Sequence, residues 1–229
     1  MDGILFGVGV GPGDPELMTL KAARLIQECD VIAVPDSGAE QNTAYQIALR
    51  AVPEIEKKRL LKLNLPMTRD ARALESSRQR AAEEIAALLR QGENVAFLTL
   101  GDPSVFSTYS YLHVRVAAMG FKAQMVPGVP SFCAAAALLG ESLTEAGSAL
   151  HIIPAPYEGV KEALASKGTK VLMKSGKSFP QVKQMLLEEG YGGKTEVVER
   201  CGMEGEQVYR SLEETGDELS YFSMLVIKE

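Results

Sequence analysis

The residues best suited to chemistry in this sequence lie in short stretches rich in glycine and proline. Gly7-Val8-Gly9-Val10-Gly11-Pro12-Gly13 ends an apolar run, and glycines so placed let a backbone approach a phosphate at a helix N-terminus. The spacing does not fit a dinucleotide fingerprint. Counting Gly-x-Gly-x-x-Gly from Gly7 puts Pro12 at the third glycine; counting from Gly9 puts Asp14 there, a carboxylate that would repel a pyrophosphate. Gly176-Lys177-Ser178 looks like the end of a phosphate loop, but Val171 stands where that loop needs its first glycine. Leu98-Thr99-Leu100-Gly101-Asp102-Pro103 says more. It sets a glycine and a carboxylate where a buried strand emerges, the ligand edge of an open α/β sheet. Gly-Asp-Pro is equally ordinary turn chemistry, so the position of Asp102 alone leaves both roles open. Pro127-Gly128-Val129-Pro130-Ser131 reads by itself as a linker whose serine caps the next helix. Met173, Cys201 and Met203 read alone as core residues.

Other chemistries are excluded by what is missing. The cysteines Cys29, Cys133 and Cys201 and the histidines His113 and His151 are too few and too scattered for a disulfide framework or a zinc site. No structural metal is expected, a reducing compartment is, and neither histidine receives a catalytic task. Thirty acidic against 24 basic residues leave a net charge of −6, which argues against a broad polyanion-binding face and hence against nucleic acid as a partner. The first twenty residues show no basic segment followed by an apolar core, so no signal peptide is expected. No stretch approaches the roughly 18 apolar residues of a membrane span. The expectation is a soluble, cytoplasmic protein with no membrane partner.

The elements that must position these loops alternate in type. Ile4 to Val10 reads as a strand, and Asp14 caps a helix that starts at Pro15 and runs to about Glu28. Val31 to Val34 and Val95 to Leu100 read as strands, with an amphipathic helix from Ser76 to Gln91 between them and Gly92 placed to end it. Phe106 to Met119 has helical spacing, Lys122 to Val126 is a short strand, and Ser131 to Leu139 is an alanine-rich helix. Beyond it, Ala149 to Ile153, Lys170 to Met173, Glu196 to Glu199 and Tyr221 to Ile227 read as strands. The 229 residues, 46 % apolar and 24 % charged, suffice for a sizeable core. The pattern is α/β with open sheets, in two α/β domains, residues 1–125 and 126–229, divided at the Pro/Gly break.

Taken together, the motifs resemble a family. Gly9-Val10-Gly11-Pro12-Gly13-Asp14-Pro15-Glu16-Leu17-Met18-Thr19, then Leu100-Gly101-Asp102-Pro103, then Val126-Pro127-Gly128-Val129-Pro130-Ser131 resemble, in order and spacing, the tetrapyrrole methylases. The likeness covers essentially the whole chain. Val34-Pro35, Leu65-Pro66-Met67-Thr68, Phe106-Ser107-Thr108-Tyr109 and Lys174 after Met173 look like the branch that methylates C-20 of precorrin-2 or cobalt-factor II in cobalamin biosynthesis.

The resemblance implies a class III methyltransferase fold, S-adenosylmethionine as methyl donor in a cleft between two domains, a tetrapyrrole substrate and a homodimer. Carried over residue by residue, the donor site comprises Pro12, Leu100, Gly101, Asp102, Val105, Phe106, Ser131, Phe132, Met173, Cys201, Gly202 and Met203. Many relatives have Thr-Ala or Thr-Ser after the Pro-Gly, where this chain has Pro130-Ser131-Phe132. A sulfonium donor already activates its methyl group, so transfer needs in-line placement and exclusion of water more than a strong acid. Asp102 is the one catalytic candidate, either binding the donor's amino-acid part or assisting proton loss. Lys62, Arg69, Arg72, Lys174 and Lys177 are the bases available for the substrate's carboxylates. Another ring carbon, an RNA or protein substrate on the same fold, and a module that binds an adenosyl ligand without turnover are the competing readings.

Overall fold

Apolar runs form the three central strands of the first half of the chain, and each strand there is followed by a helix. The computed structural model describes residues 1–36, 42–66, 68, 70–155 and 159–228. They divide into two units, Met1–Pro130 and Ser131–Glu229.

In the first unit, β1 (Ile4–Gly9), β2 (Val31–Asp36), β3 (Arg59–Asn64), β4 (Val95–Thr99) and β5 (Lys122–Val126) form one sheet in the order β3-β2-β4-β1-β5. Every pairing is parallel. Successive side chains on a strand face opposite ways, so the sheet supports two apolar layers. Phe6, Val8 and Ile32 pack with Leu25 and Ile26 of α1 (Leu20–Glu28) and Ile47 of α2 (Thr43–Ala51). On the opposite face Leu5, Val31 and Phe97 pack with Ile85 and Leu89 of α3 (Ala71–Arg90) and Leu112 and Val116 of α4 (Tyr109–Ala118). A parallel sheet wound on both faces carries ligands at the C-terminal ends of its strands.

The second unit contains α5 (Ser131–Leu139), β6 (Leu150–Pro154), α6 (Val160–Leu164), β7 (Thr169–Met173), α7 (Phe179–Glu188), β8 (Thr195–Glu199), β9 (Gln207–Tyr209) and β10 (Ser223–Ile227). Its sheet order is β6-β7-β10-β8-β9. β6 and β7 are parallel, while β10 runs antiparallel to both β7 and β8. Ile153, Leu164, Leu172, Phe179, Leu186, Val197 and Leu225 form its core. Both units are α/β with open sheets, as the sequence pattern predicts.

Several elements differ from expectation, each for a local reason. Pro15 opens a 3-10 turn, Pro15–Leu17, and α1 starts separately at Leu20, where the Thr19 hydroxyl accepts the Ala22 N–H at 3.1 Å. The helix expected from Phe106 begins at Tyr109, because Phe106 is left-handed at φ +47. α3 begins five residues early, at Ala71 instead of Ser76, since Asp70 Oδ1 accepts the N–H groups of both Arg72 and Ala73. The first unit extends to Pro130, beyond the expected limit at residue 125, because Val126 still pairs with Val8 and the Gly128 N–H is bonded to Asp102. Met67 and Arg69 lie outside the described residues.

Candidate functional site

At the C-terminal edge of the first sheet, the ladder between β1 and β4 continues past both strands. The Val10 N–H donates to Thr99 O at 2.9 Å and the Gly101 N–H to Gly11 O at 2.8 Å. Gly128, just beyond β5, lies against the same junction. A Cβ on Gly128 would stand 2.2 Å from Gly101 O, and one on Gly9 2.6 Å from that oxygen. The three loops therefore meet backbone to backbone, and no side chain fits at the crossing. This is the physical reason for two of the glycines in the motifs, and Gly101 itself is left-handed at φ +71.

Asp102 fastens this junction. Its Oδ2 accepts the Gly128 N–H at 3.0 Å, and its Oδ1 accepts both the N–H and the hydroxyl of Ser104. The carboxylate offered by the sequence for chemistry is thus engaged in holding its own turn and the loop after β5. Thr99 Oγ1 and Ser107 Oγ lie 3.3 Å apart, and Ser107 Oγ accepts the Tyr109 N–H, so both ends of the turn are pinned. Between them Phe106 keeps a conformation that costs a residue with a Cβ about 1–2 kcal/mol, with 43 % of its surface exposed. Apolar exposure and backbone strain coincide there, the combination expected of a ligand-facing turn. Pro12 is buried beside the junction, and Leu100 and Val105 are half-buried.

Tyr109 supports the site from beneath. Its ring fills the space over Gly7, where a Cβ would lie 2.3 Å from it, and its hydroxyl donates to Gln124 O at 2.7 Å. Burial pushes its phenol well above the usual tyrosine range. His113 Nδ1 sits 3.2 Å from that hydroxyl and His151 Nε2 2.9 Å from Lys167 O, structural positions for both histidines. Among the described residues no group of three or more His, Cys, Asp or Glu could hold a metal ion, and no helix is long and apolar enough to cross a membrane.

In the second unit β7 and β8 point the same way, each antiparallel to β10, with Met173 opposite Met224 and Glu199 opposite Ser223. Met173 and Cys201 therefore emerge at one end of the sheet. Immediately after each strand the backbone turns left-handed at a residue other than glycine, Lys174 at φ +61 and Arg200 at φ +55. Burial lowers the pKa of the Lys174 ammonium. Ser175 and Ser223, both buried, share a hydrogen bond at 2.9 Å. The segment after β8 is a closed loop. The Arg200 N–H donates to Phe222 O, the Met203 N–H to Arg200 O, and the Gly202 N–H to Glu206 Oε2 at 2.6 Å. Arg200 Nε donates to Glu204 O at 2.6 Å. Cys201 is buried within this loop, and Gly202 and Met203 are half-buried.

Ser131 and the buried Phe132 open α5. Of the bases expected for a polyanionic substrate, Lys62 is exposed on β3, Arg72 in the first turn of α3, and Lys177 in the 3-10 turn Gly176–Ser178. The first unit thus brings Pro12, Leu100 to Asp102, Val105 and Phe106 to one sheet end, and the second brings Met173 and Cys201 to Met203 to another, while Ser131 and Phe132 stand at the start of α5 and these bases are dispersed. Arg200 is the residue that sequence reasoning missed. The available signal was Gly202 and Gly205 close behind a strand, a pair that marks a tight loop.

Residues 5–215 match the family model of the Tetrapyrrole (Corrin/Porphyrin) Methylases. The chain is 36 % identical to the cobalamin biosynthesis protein CobIJ of Mycobacterium tuberculosis, over 98 % of this chain and 46 % of that protein, so it spans about half of that relative's length. It is 31 % identical to the cobalt-precorrin-2 C(20)-methyltransferase of Salmonella typhimurium, over 100 % of this chain and 98 % of that one. Among solved structures, uroporphyrin-III C-methyltransferase from Thermus thermophilus complexed with S-adenosylhomocysteine shares the fold, with a TM-score of 0.67 at 23 % identity, covering 99 % of this chain and 98 % of that one. The chain belongs to the tetrapyrrole methylases, which are S-adenosylmethionine-dependent.

Proposed function

We propose that this tetrapyrrole methylase transfers one methyl group from S-adenosylmethionine to C-20 of an early corrinoid precursor, cobalt-factor II or precorrin-2. The observation that carries the reading is the glycine crossing at the end of the first sheet, where Gly9, Gly101 and Gly128 bring three loops into backbone contact and Asp102 ties two of them together. The residues present suit such a donor. Left-handed Gly101 presents main chain without a side chain, and half-exposed Phe106 with Val105 and Leu100 offers apolar surface to a nucleoside. When bound, S-adenosylmethionine supplies a methyl group already activated by its sulfonium.

The protein's part is then placement and exclusion of water. Pro12, Leu100 to Asp102, Val105 and Phe106 are the donor-binding residues of the first unit, and Ser131, Phe132, Met173 and Cys201 to Met203 those of the second. Asp102 acts as the brace of the first unit's loops. Lys62, Arg72, Lys174 and Lys177 answer the carboxylates of the substrate, as does Arg69. The C-20 assignment is supported by the full-length likeness to the Salmonella enzyme. Methylation at another ring carbon is the second reading, favoured by 30 % identity to the precorrin-4 C(11)-methyltransferase of Rhodococcus erythropolis over 82 % of this chain and 72 % of that one. The protein works as a homodimer in the cytoplasm on this reading, and light scattering giving a monomer mass near the 24.7 kDa of the chain would contradict the dimer.

The test is incubation with a carbon-13 methyl donor and each early tetrapyrrole, followed by NMR of the product. A new methyl at C-20 is expected; label found only at a different carbon overturns the position. Gly101→Val should abolish donor binding by calorimetry, and a folded variant of unchanged affinity would overturn the site.

A further inference from the structure

We propose that Arg200 is a positioning residue for the methyl donor: fastened to the Glu204 carbonyl, its guanidinium holds Cys201–Met203 in the conformation that receives the donor. The inference rests on the reading of Cys201, Gly202 and Met203 as donor-binding residues. Position 200 is left-handed, at φ +55, where glycine or asparagine would be less strained than a long side chain. Arginine supplies what neither of those can, a donor that reaches across the loop. Arg200 Nε donates to Glu204 O at 2.6 Å, bridging four residues across the chain. Gly205, left-handed at φ +79, turns the chain beside the guanidinium, where a Cβ would only touch Nε, at 3.4 Å.

The opposite tie is made by Glu206, whose Oε2 accepts the Gly202 N–H at 2.6 Å. Cys201 to Met203 thus lie in a loop closed by two oppositely charged side chains, Glu206 bonded to Gly202 itself and Arg200 to Glu204 O beyond the segment, and the Met203 N–H returns to Arg200 O at 2.8 Å. Charge-assisted bonds of this type are the stronger kind. A loop ordered before binding spares the donor the cost of ordering it.

The experiment measures the dissociation constants of S-adenosylmethionine and S-adenosylhomocysteine by calorimetry in the wild type and three variants, with the thermal midpoint of each. Arg200→Asn accepts the left-handed backbone but is too short to bond Glu204 O, Arg200→Gly removes the strain and the bond together, and Arg200→Lys retains a donor of sufficient reach. Arg200→Asn and Arg200→Gly should bind both ligands about tenfold more weakly, the effect of one bond to a charged group, with Arg200→Gly melting no lower than the wild type. Arg200→Lys should recover most of the affinity. In turnover the KM for the donor should rise more than kcat falls. Wild-type affinity in Arg200→Gly overturns the proposal, as does a loss in Arg200→Lys equal to that in Arg200→Asn. Should Arg200→Asn not fold, Arg200→Gly carries the test. A wild type that binds neither ligand overturns the donor reading itself, a result distinct from failure of the clamp.

Discussion

At the end of the first sheet main chain meets main chain: Gly9, Gly101 and Gly128 cross so closely that a methyl group on Gly128 would stand 2.2 Å from a carbonyl oxygen. At the end of the second sheet the turns after β7 and β8 are left-handed at Lys174 and Arg200, and the loop that follows Arg200 is tied by side chains. The first end gains its shape by removing side chains at a crossing that Asp102 then fastens, and the second by fastening side chains alone. Steric exclusion between backbones is nearly all-or-none, whereas hydrogen bonds to side chains contribute about 0.5–3 kcal/mol each and can be exchanged. The first end should therefore break under single substitutions and the second should yield by degrees.

The largest effect is expected from Gly128→Ala. The contact it creates is with the backbone of Gly101, which has no rotamer to relieve it, so the loss should reach about 3 kcal/mol or more. Donor affinity should vanish along with it. Urea denaturation that leaves Gly128→Ala as stable as the wild type would mean that the crossing is loose, and the contrast between the two ends would fail.

Asp102→Ala comes next, because it leaves the Gly128 N–H without its acceptor and frees the Ser104 turn. A loss of about 1–3 kcal/mol follows from an unmade bond of this type, with a parallel fall in donor affinity. Asp102→Asn should fall between, since its amide retains one acceptor oxygen. The opposite pattern, Asp102→Asn retaining stability and donor affinity while kcat collapses and the pH–rate profile changes, would make Asp102 a proton acceptor instead of a brace.

The unequal legibility of the two ends has the same physical origin. Apolar runs at Ile4 and Val95 and the glycine loops behind them announce parallel strands and a ligand edge, because buried strands and close-approach glycines leave composition signals. The crossing of Gly9 with Gly128 is silent, since it joins positions far apart in the chain. β3 went unread because only Leu61 and Leu63 of this edge strand face the core, while Arg59, Leu60, Lys62 and Asn64 are exposed; α2 and the three-residue β9 were likewise unforeseen. Pro15 suggested a helix start that Thr19 in fact provides, two capping signals competing within one turn. Lys174 and Arg200 were unreadable as left-handed positions because long cationic side chains seldom adopt that conformation.

Lys174→Gly gives a smaller effect. Removing a left-handed Cβ relieves about 1 kcal/mol or more, and the added freedom of glycine in the unfolded chain offsets roughly the same amount. Stability within about 1 kcal/mol of the wild type is expected, against the collapse of Gly128→Ala. A loss comparable to that of Gly128→Ala would show that the second sheet end is as intolerant as the first, and the comparison would reduce to one kind of packing.

The smallest effect is a pH dependence at the same turn. Burial holds the Lys174 ammonium below the ordinary lysine value of 10.5. Below the folded-state value both folded and unfolded chains carry the charge, and the folded one bears the full cost of desolvating it. Between that value and 10.5 the unfolded chain binds more protons, so stability rises with pH through this window. Lys174→Met abolishes the titration. Its stability relative to the wild type should therefore decline as pH climbs toward 10.5, by a modest amount because the side chain is only half-buried and partly screened by water. Urea denaturation of both proteins at several alkaline pH values measures the difference. A flat difference would mean that the ammonium is as well solvated as in the unfolded chain. A declining one identifies a cation held at a strained, desolvating turn after β7, the counterpart of the left-handed Arg200 after β8.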